Sequence, residues 1–377
     1  MVQKIPASGL ENAGGNFKNL IINGDMSIFQ RATSTTTVTS GEYQTVDRFK
    51  LYESTDGAYT AELENLSLAD QATTGQRTAL ELNVTTADGT IGASQFAAIY
   101  HPIEAQFLQH ILYGTSAAKD LTLSFYVKSN KTGTYCVAID KNDNTAYRLP
   151  IEYTISSADT WEKKVIHISP TAGSTSLITA SGAAIDNDNG TGMLVTFALA
   201  WGSNYQGTNN TWVTGNAYST SNQVNWMDST DNNFFLTGVQ LEVGSGASDF
   251  EHLPHDVQIK RCQRYFYNLS SLGPYVPDSS AAYLGAGFMY SSSYMLTPVH
   301  LPTAMRTEPT LTTSNASNHF MFYRNSAGDN CDDLTLSAST STICATLQNN
   351  TDISGTAGHA GGLVVQAGST CNLDAEL

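Results

Sequence analysis

The feature that most constrains the fold is a long succession of short segments in which apolar and polar residues alternate. Because successive side chains of a strand point to opposite faces, this alternation indicates strands with one buried face. The segments that we predict as strands are Asp47–Tyr52, Ala79–Val84, Leu121–Lys128, Thr134–Ile139, Tyr147–Tyr153, Glu162–Ile168 and Met193–Trp201. With the strand described next, their number and spacing predict a two-sheet sandwich of jelly-roll type.

Residues 234–267 change from a strand pattern to a helix pattern. The run FFLTGVQLEV alternates and predicts a strand with one buried face, and GSGASD then ends it. Pro254 suits a first helical turn, and Ile259, Cys262 and Phe266 follow at spacings of three and four. A β-domain therefore closes here and a short basic helix begins.

The chain is long enough for two domains, and changes in residue composition and pattern divide it into four parts. We predict an extended arm at residues 1–18, a jelly roll at 19–253, a helical connector at 254–268 and a smaller β-domain at 269–377. We also predict a first strand at Leu20–Ile22 and a helix near Pro102–Tyr113. The fold class predicted overall is all-β.

Charge and composition exclude several kinds of partner. The net charge is −16, which opposes nucleic-acid binding and repels anionic lipid. The longest apolar run, Met193 to Trp201, is too short to span a bilayer, and the first residues lack the apolar core of a secretion signal. Five cysteines without a CxxC pair favour reduced thiols. Neutral glycans and other proteins remain as partners.

Residues 201–230 carry large aromatic side chains among Asn, Thr, Ser and Gly. Aromatic rings can stack on the C–H faces of sugars, while the neighbouring amides and hydroxyls bond to sugar hydroxyls. The alternative is that the rings pin a long loop onto the sandwich, since each buries a large apolar area. The candidate glycan-binding residues are Trp201, Tyr205, Trp212, Tyr218 and Trp226.

Three motifs carry a resemblance to a known family. They are NLIINGDMSIFQR at Asn19–Arg31, the following VDRFKLY, and TGVQLEVGSGASDFEHLPHDVQIKRCQRYF. Together they resemble tailed-phage virion proteins, notably fibre and fibre-like proteins with a carbohydrate-binding-module-like jelly roll. The resemblance covers residues 19–267, and HLPTAMRTEPTLT is similar to a segment of the C-terminal parts of such proteins.

The resemblance implies a structural component of a virion, assembled in the bacterial cytoplasm and displayed outside it. Fibres of this kind are usually trimeric, so a homotrimer is expected, with residues 1–18 docking on other virion proteins. Lys260, Arg261 and Arg264 would then pair with the chain's own carboxylates at a subunit or domain interface.

A structural calcium ion is a further expectation from the resemblance, and no other cofactor is expected. Jelly-roll binding modules often hold calcium near their first and last strands, where Asp25 and Glu242 stand. The acidic pair expected before the apolar residues of the last strand is Thr237-Gly238 here, which departs from the pattern. Asp140, Asn142 and Asn144 also offer oxygen ligands, but turns use the same residue types.

No enzyme signature of the GxSxG, HExxH or P-loop type is present, so we expect no catalysis. The carboxylates Glu62, Glu64, Asp332 and Asp333 do not reveal a hydrolytic pair by their spacing alone. Three functions stay open: host attachment by a fibre that binds surface glycans, a purely structural capsid, neck or adaptor role, and glycan depolymerisation.

Overall fold

The computed structural model describes most of the chain and shows an all-β protein, as predicted. The residues described are 18–35, 37–38, 40–270, 281–314 and 317–377. The predicted arm at residues 1–18 therefore lies outside the described residues except for Lys18. No helix in the described ranges is long and apolar enough to cross a membrane.

The first part of the chain forms two facing antiparallel sheets. The first sheet contains β1 (Ser34–Thr35), β3 (Ala58–Asn65), β4 (Thr78–Thr86), β6 (Leu121–Lys128), β9 (Glu162–Ile168) and β11 (Asn233–Val243). The second contains β2 (Lys50–Glu53), β5 (Phe96–Glu104), β7 (Gly133–Lys141), β8 (Tyr147–Ile155) and β10 (Thr191–Trp201). Their orders are β1-β3-β4-β11-β6-β9 and β2-β5-β10-β7-β8. The chain passes repeatedly from one sheet to the other, so the predicted jelly-roll sandwich is confirmed.

The alternation read from the sequence explains how the sandwich core forms. Leu80, Phe125, Ile139, Phe197 and Leu236 occupy inward positions of their strands and are fully buried in one cluster. The neighbours of these residues on each strand point outward, away from that cluster. The core therefore lies between the two sheets, and the outer faces of the sheets remain for other contacts.

The prediction that β11 has a single buried face is wrong. Both of its faces are buried, because it lies between β4 and β6 and its outer face is covered by other segments. Gln240, on the outer face, bonds to Glu242 and to the 248–251 segment. A bulge interrupts the pairing between Thr237 and Gln240, and Gly238 there has a φ of +61° that favours glycine.

Two local predictions also need correction. Leu20–Ile22 is not a strand, although Leu20 does bond through its backbone to Leu241 and a turn follows at Asn23-Gly24. The helix near Pro102–Tyr113 is a 3-10 helix at Ala105–Ile111, and the residues before it end β5. Its buried residues are Ala105, Leu108 and Ile111, a spacing of three that matches three residues per turn.

Two α-helices flank the sandwich. The helix α1 (Leu68–Thr74) begins at Ser67, whose hydroxyl accepts a bond from the Asp70 amide. The helix α2 (His255–Gln263) follows Pro254 in the predicted connector. Cys262 of α2 is buried beside Ile22 and Ile28, so the connector packs directly on the sandwich. All five cysteines are free thiols, as expected.

The C-terminal part forms two more antiparallel sheets around a second apolar cluster. The smaller sheet contains β12 (Phe266–Asn268), β15 (Thr310–Thr313) and β21 (Cys371–Asp374). The larger contains β13 (Ala282–Ser291), β14 (Tyr294–His300), β16 (Phe320–Arg324), β17 (Ala327–Cys331), β18 (Thr335–Leu336), β19 (Cys344–Asn349) and β20 (Ala360–Val365). Their shared cluster includes Phe320, Phe322, Leu347 and Leu363. The domain boundaries at 18/19, 253/254 and 268/269 remain predictions.

A buried ion pair joins the last residues of the chain to the sandwich. The Arg48 guanidinium pairs with the Glu376 carboxylate, donates to the Pro102 carbonyl at 2.8 Å and lies 3.6 Å from the Tyr265 ring centroid. The Arg48 side chain is fully buried. A charge in this position is stable only while its partner is present. We call this contact region, built by Arg31, Arg48, Glu104, Arg264 and Glu376, the seam.

Further contacts of the seam are made by Arg31 of the first family-like motif and by Arg264 of the third. Arg31 approaches Glu376 at 3.2 Å and lies 3.6 Å from the Phe266 ring centroid. Arg264 pairs with Glu104 of β5 at 2.5 and 2.8 Å and donates to the Ala304 carbonyl at 3.2 Å. Arg264 therefore contacts the sandwich and the C-terminal part at the same time.

Breaking the seam should destabilise the protein strongly. We expect Arg48→Met to lower the free energy of unfolding by about 3 kcal/mol, the lower end for a broken buried pair, because Arg31 still reaches Glu376. Chemical denaturation measures the change. Lys131→Met is the control: it breaks the partly exposed Lys131–Asp228 pair and should cost less than about 1 kcal/mol. Equal losses in the two variants would contradict the role given to Arg48.

Candidate functional site

The outer face of the five-stranded sheet carries a cluster of aromatic side chains. Small residues on three adjacent strands, Ala98, Cys136 and Ala198, form the floor on which the rings lie. Because these side chains are short, large rings can pack flat against the sheet above them. We call this cluster the aromatic face, and its rings are Tyr52, Phe96, Tyr100, Trp201, Tyr205 and Tyr218.

Three of these rings form a continuous stack. The Trp201 ring lies 4.4 Å from Phe96 and 4.5 Å from Tyr218, with interplanar angles of 16° and 18°. The Arg148 guanidinium lies over the Tyr218 ring, 5.1 Å from its centroid. Protein groups therefore cover both faces of Trp201, and only the edge of its indole is left for a ligand.

The other rings of the aromatic face are half-buried and keep part of their surface exposed. Tyr52 and Tyr100 meet edge to face at 4.7 Å, and Tyr205 meets the Trp201 ring in the same way at 4.9 Å. Lys50 lies 5.7 Å from the Tyr52 ring centroid. The Tyr100 hydroxyl has no hydrogen-bond partner in the part of the chain described here. Tyr52, Tyr100 and Tyr205 are thus the rings that a ligand can reach.

Polar groups border the aromatic face. Arg148 Nε donates to the Tyr218 hydroxyl at 2.8 Å, and that hydroxyl donates to Asp140 Oδ2 at 3.2 Å. Burial raises the pKa of the Asp140 carboxyl, and burial together with Asp140 raises the pKa of Tyr218 to about 12. Asp140 Oδ1 and Thr196 Oγ1 are buried without a partner among the described residues. Both oxygens are closed off from solvent, so a ligand on the aromatic face does not reach them in this structure.

The loop between β10 and β11 is held on this face by side-chain bonds. Thr220 donates to Glu152 of β8 at 2.5 Å, and Asn222 donates to the same carboxylate at 3.0 Å. The backbone amide of Glu152 donates to Asn209 at 3.0 Å. These polar bonds hold the loop as one wall of the face.

Trp212 and Trp226 of the candidate glycan set do not lie on the aromatic face. Both are in the sandwich core, at 1% and 0% exposure. The indole N–H of Trp212 donates to the Ser169 carbonyl at 2.8 Å, and that of Trp226 to the Asn233 carbonyl at 3.0 Å. In this structure neither ring can stack on a sugar, so an aromatic platform that includes them is wrong.

Asp25 and Glu242 are each engaged by hydrogen-bond donors. The Asp25 carboxylate accepts from Gln258, while Glu242 accepts from the Ser248 amide at 2.8 Å and from Gln240 at 2.9 Å. Within the described ranges, no three His, Cys, Asp or Glu side chains are grouped to hold a metal ion. The calcium ion therefore stays a prediction without a ligand set.

The turn after β7, another candidate for oxygen ligands, already contains a cation. The Lys141 ammonium donates to the backbone carbonyls of Asp143, Thr145 and Gly182, the latter two at 3.0 and 3.4 Å. Burial lowers the pKa of Lys141 to about 8. These carbonyl oxygens satisfy the lysine, which is a structural role for this turn.

The three basic residues of the connector lie in different surroundings. Arg264 belongs to the seam, and Arg261 donates to the Asn19 carbonyl at 3.4 Å, which ties α2 to the start of the sandwich. Lys260 is exposed on α2. Arg261 and Arg264 thus make contacts within the chain, and a subunit interface at these residues stays a prediction.

Sequence reasoning missed Tyr52, Phe96 and Tyr100 as members of the site. The signal lay in their positions: Tyr52 is outward on β2, and Phe96 and Tyr100 are outward on β5. Which outward faces meet could not be read from the sequence, because β2, β5 and β10 become neighbours only through the order of the sheet.

The fold and the site define an all-β protein with a jelly-roll sandwich and an aromatic outer sheet face. No family model and no curated protein matches the sequence. Among solved structures, it is similar to a putative sugar binding protein from Bacteroides thetaiotaomicron, with 15% identity, a TM-score of 0.32, and coverage of 60% of this chain and 100% of that one.

Two further solved structures give a similar level of likeness. Tailspike protein 4 of bacteriophage CBA120, in its enzymatically active domain, shows 13% identity and a TM-score of 0.31 over 60% of this chain and 21% of that one. A family 11 carbohydrate-binding module from Clostridium thermocellum shows 12% identity and a TM-score of 0.27 over 59% and 100%. The chain thus spans about a fifth of the tailspike chain. At these TM-scores, function has to be argued from this chain's own residues.

The burial of the tryptophans leads to a spectroscopic prediction. All four tryptophans of the chain are at most 8% exposed. We therefore expect iodide to quench the native tryptophan emission several-fold less than the emission in urea, where the indoles meet solvent. Stern–Volmer titration measures this, with free tryptophan as the reference. Native quenching as strong as that in urea would mean that at least one indole is an exposed platform.

Proposed function

We propose that this protein is a component of a tailed-phage virion that binds uncharged glycans through its aromatic face and so contributes to host attachment. The observation that carries the binding proposal is the grouping of partly exposed tyrosine rings on one sheet face. Tyr52, Tyr100 and Tyr205 offer ring surface for the C–H faces of a sugar and hydroxyl groups that can bond to its hydroxyls. The virion assignment is supported by the resemblance of the sequence motifs.

The chemistry of the aromatic face favours a neutral ligand. Two cations lie on this face. Arg148, on the ring stack, is already bonded to Asp140 at 3.3 Å and to the Tyr218 hydroxyl, and Lys50 lies against the rings of Tyr43 and Tyr52. The chain as a whole carries a net charge of −16, which repels anionic polymers at a distance. An uncharged sugar needs no free cation and is not repelled by the net negative charge. It can contact the rings through its C–H faces and form hydrogen bonds through its hydroxyls.

Loss of one partly exposed ring should weaken glycan binding. We expect Tyr100→Ala to lower the affinity for an uncharged polysaccharide about tenfold, because an aromatic contact contributes about 1.4 kcal/mol. The affinity is measured by affinity electrophoresis through gels that contain a glucan, a galactan or a mannan. A gel with an anionic polyuronate serves as the charged comparison. Tyr126→Ala is the control, since Tyr126 is a half-buried tyrosine on the outer face of the other sheet.

Three results would count against the binding proposal. They are no retardation in any uncharged gel, stronger retardation in the polyuronate gel, and equal losses for Tyr100→Ala and Tyr126→Ala. Measurement of reducing ends in the same polysaccharide solutions distinguishes binding from depolymerisation.

The larger C-terminal sheet offers a surface for the homotrimer that the resemblance implies. Tyr283 and Tyr290 of β13 are 69% and 65% exposed, and Phe288 and Tyr323 also face outward. On the described strands β13, β14, β16 and β20, the outward positions carry no Asp, Glu, Lys or Arg. Copies with a charge of −16 approach most readily where charge is absent, so we propose this face as the contact between subunits.

A charge placed on this face should dissociate the subunits. We expect wild-type protein to show three times the 40.4 kDa chain mass, and the double variant Tyr290→Lys, Tyr323→Lys to show the monomer mass. Mass photometry with light scattering measures both. Val165→Lys is the control, because Val165 is an exposed apolar residue on β9 of the sandwich. A wild-type monomer at micromolar concentration would overturn the trimer.

One observation favours a purely structural role as the second candidate. Phe96, Trp201 and Tyr218 use their ring faces on one another and hold a loop, which is what a rigid scaffold needs. For depolymerisation we propose no catalytic pair, since Asp332 accepts from the Asn318 amide and Asp333 from Thr313 and Leu334. Those two carboxylates hold backbone turns.

A further inference from the structure

A cavity of about 540 Å³ lies at one end of the sandwich, beside the first sheet. Its walls come from three parts of the chain: residues 25–29 of the first family-like motif, the paired ends of β3 and β4, and residues 253–258. The volume lies within the range of ligand pockets, about 300–1,000 Å³. The aromatic face lies on the other sheet and shares no residue with this cavity, so the cavity is a separate candidate site.

The first family-like motif presents every second side chain to the cavity. Met26 and Ile28 are fully buried in apolar clusters. Asp25, Ser27 and Phe29 alternate with them, are half-buried and line the cavity. Alternation of this kind is what an extended segment gives. The part of the motif that precedes the seam residue Arg31 therefore forms a cavity wall.

Hydrogen bonds fix this wall. Gln258 of α2 donates to the Asp25 carboxylate and, at 2.8 Å, to the Ser27 hydroxyl. The Thr78 hydroxyl of β4 donates to the Asp25 carbonyl at 3.1 Å. The wall is thus in place before a ligand arrives, which reduces the entropy lost on binding.

Part of the wall is apolar and accessible. Phe29, Leu63 and Leu253 line the cavity and are only half-buried. Covering apolar surface is favourable by about 25 cal/mol per Å², so a hydrocarbon group would gain from binding here. Asn65, which is exposed in the same wall, offers amide donors and an acceptor.

Arg77 supplies an accessible cation to the cavity. Its side chain is exposed, and its guanidinium makes no ion pair or hydrogen bond with the residues that the structure describes. Every other arginine of the chain bonds to a carboxylate or a carbonyl: Arg31, Arg48, Arg148, Arg261, Arg264, Arg306 and Arg324. Because the net charge is −16, carboxylates are abundant in this chain. An arginine left without one in a cavity wall indicates a site for an external anion.

The charges of the wall favour a single carboxylate. The guanidinium of Arg77 is planar, and its parallel N–H groups match the two oxygens of a carboxylate. The Asp25 carboxylate in the same cavity repels a second negative charge, which disfavours a doubly charged anion. The accessible apolar side chains then fit a hydrocarbon group beside the carboxylate.

We propose that this cavity binds a carboxylate that carries a neighbouring hydrocarbon group, with Arg77 as the residue that anchors it. Two sources have this chemistry: a free organic acid, and the carboxyl terminus of a polypeptide that ends in an apolar residue. In the second case Asn65 offers hydrogen bonds to the last peptide group. The site does not depend on the glycan binding proposed for the aromatic face, and either can fail without the other.

The test titrates the full-length protein with isocaproate and with N-acetyl-leucine, which is the same acid with an added acetamido group. We expect at least one of them to bind at millimolar concentration or below, as measured by ligand-observed NMR. Their uncharged counterparts, isocaproamide and N-acetyl-leucinamide, should bind at least about tenfold more weakly, because they lose the charge-assisted bonds to Arg77. Acetate, which lacks the hydrocarbon group, should also bind more weakly.

Arg77→Met should weaken the effective acid about tenfold, since it removes the cation but keeps the length of the side chain. Lys119→Met is the control: it removes an exposed cation outside the cavity and changes the net charge equally. Tighter binding of N-acetyl-leucine than of isocaproate would identify a polypeptide terminus as the source, and the reverse a free acid.

Four results would overturn the proposal. They are no binding of either acid, equal binding of the acids and their amides, equal binding of acetate and isocaproate, and equal affinities of Arg77→Met and Lys119→Met. If Arg77→Met does not fold, the comparison of acids with amides on the wild-type protein still decides.

Discussion

The buried pair between Arg48 and Glu376 is the interaction on which the rest of the arrangement depends. It brings the last residues of the chain against Arg48 of the second family-like motif, and the Arg48 guanidinium stacks on Tyr265 of the third. A buried charge is unfavourable by itself, so each partner requires the other. The seam therefore specifies how the C-terminal part meets the sandwich. Burying the Glu376 carboxylate costs free energy, which explains why two arginines pair with it.

Three of the five seam residues lie in the motifs that suggested a family. Arg31 and Arg48 lie in the first two motifs, and Arg264 and Tyr265 lie in the third. Their side chains meet across the fold because the start of the sandwich and the connector after β11 adjoin one another. The motifs thus contribute the three arginines that join the C-terminal part to the sandwich. The aromatic face, which carries the proposed binding, lies outside these motifs except for Tyr52.

The sequence predicted the strands well and the site only in part. The difference has a physical reason: strands follow from local patterns, whereas the site depends on contacts between distant segments. Alternation is local, so the strand Leu121–Lys128 and the hairpin of β7 and β8 could be read directly. Burial of the outer face of β11 depends on covering segments far along the chain, and it was missed. Trp212 and Trp226 lie in a polar, loop-like segment, yet they fill the core, because a long loop needs anchors. Tyr52 and Tyr100 join the site only through sheet order.

The strand β5 links the proposed site to the seam. Its outward residues Phe96 and Tyr100 belong to the aromatic face, its inward residue Ile99 lies in the core, and Glu104 at its end pairs with Arg264. A strand is nearly rigid along its length, because it is hydrogen-bonded to β2 on one side and β10 on the other. Contacts at the seam therefore help to fix the register of the strand that presents the two rings. The same alternation that builds the core places a binding surface and an attachment point on a single element.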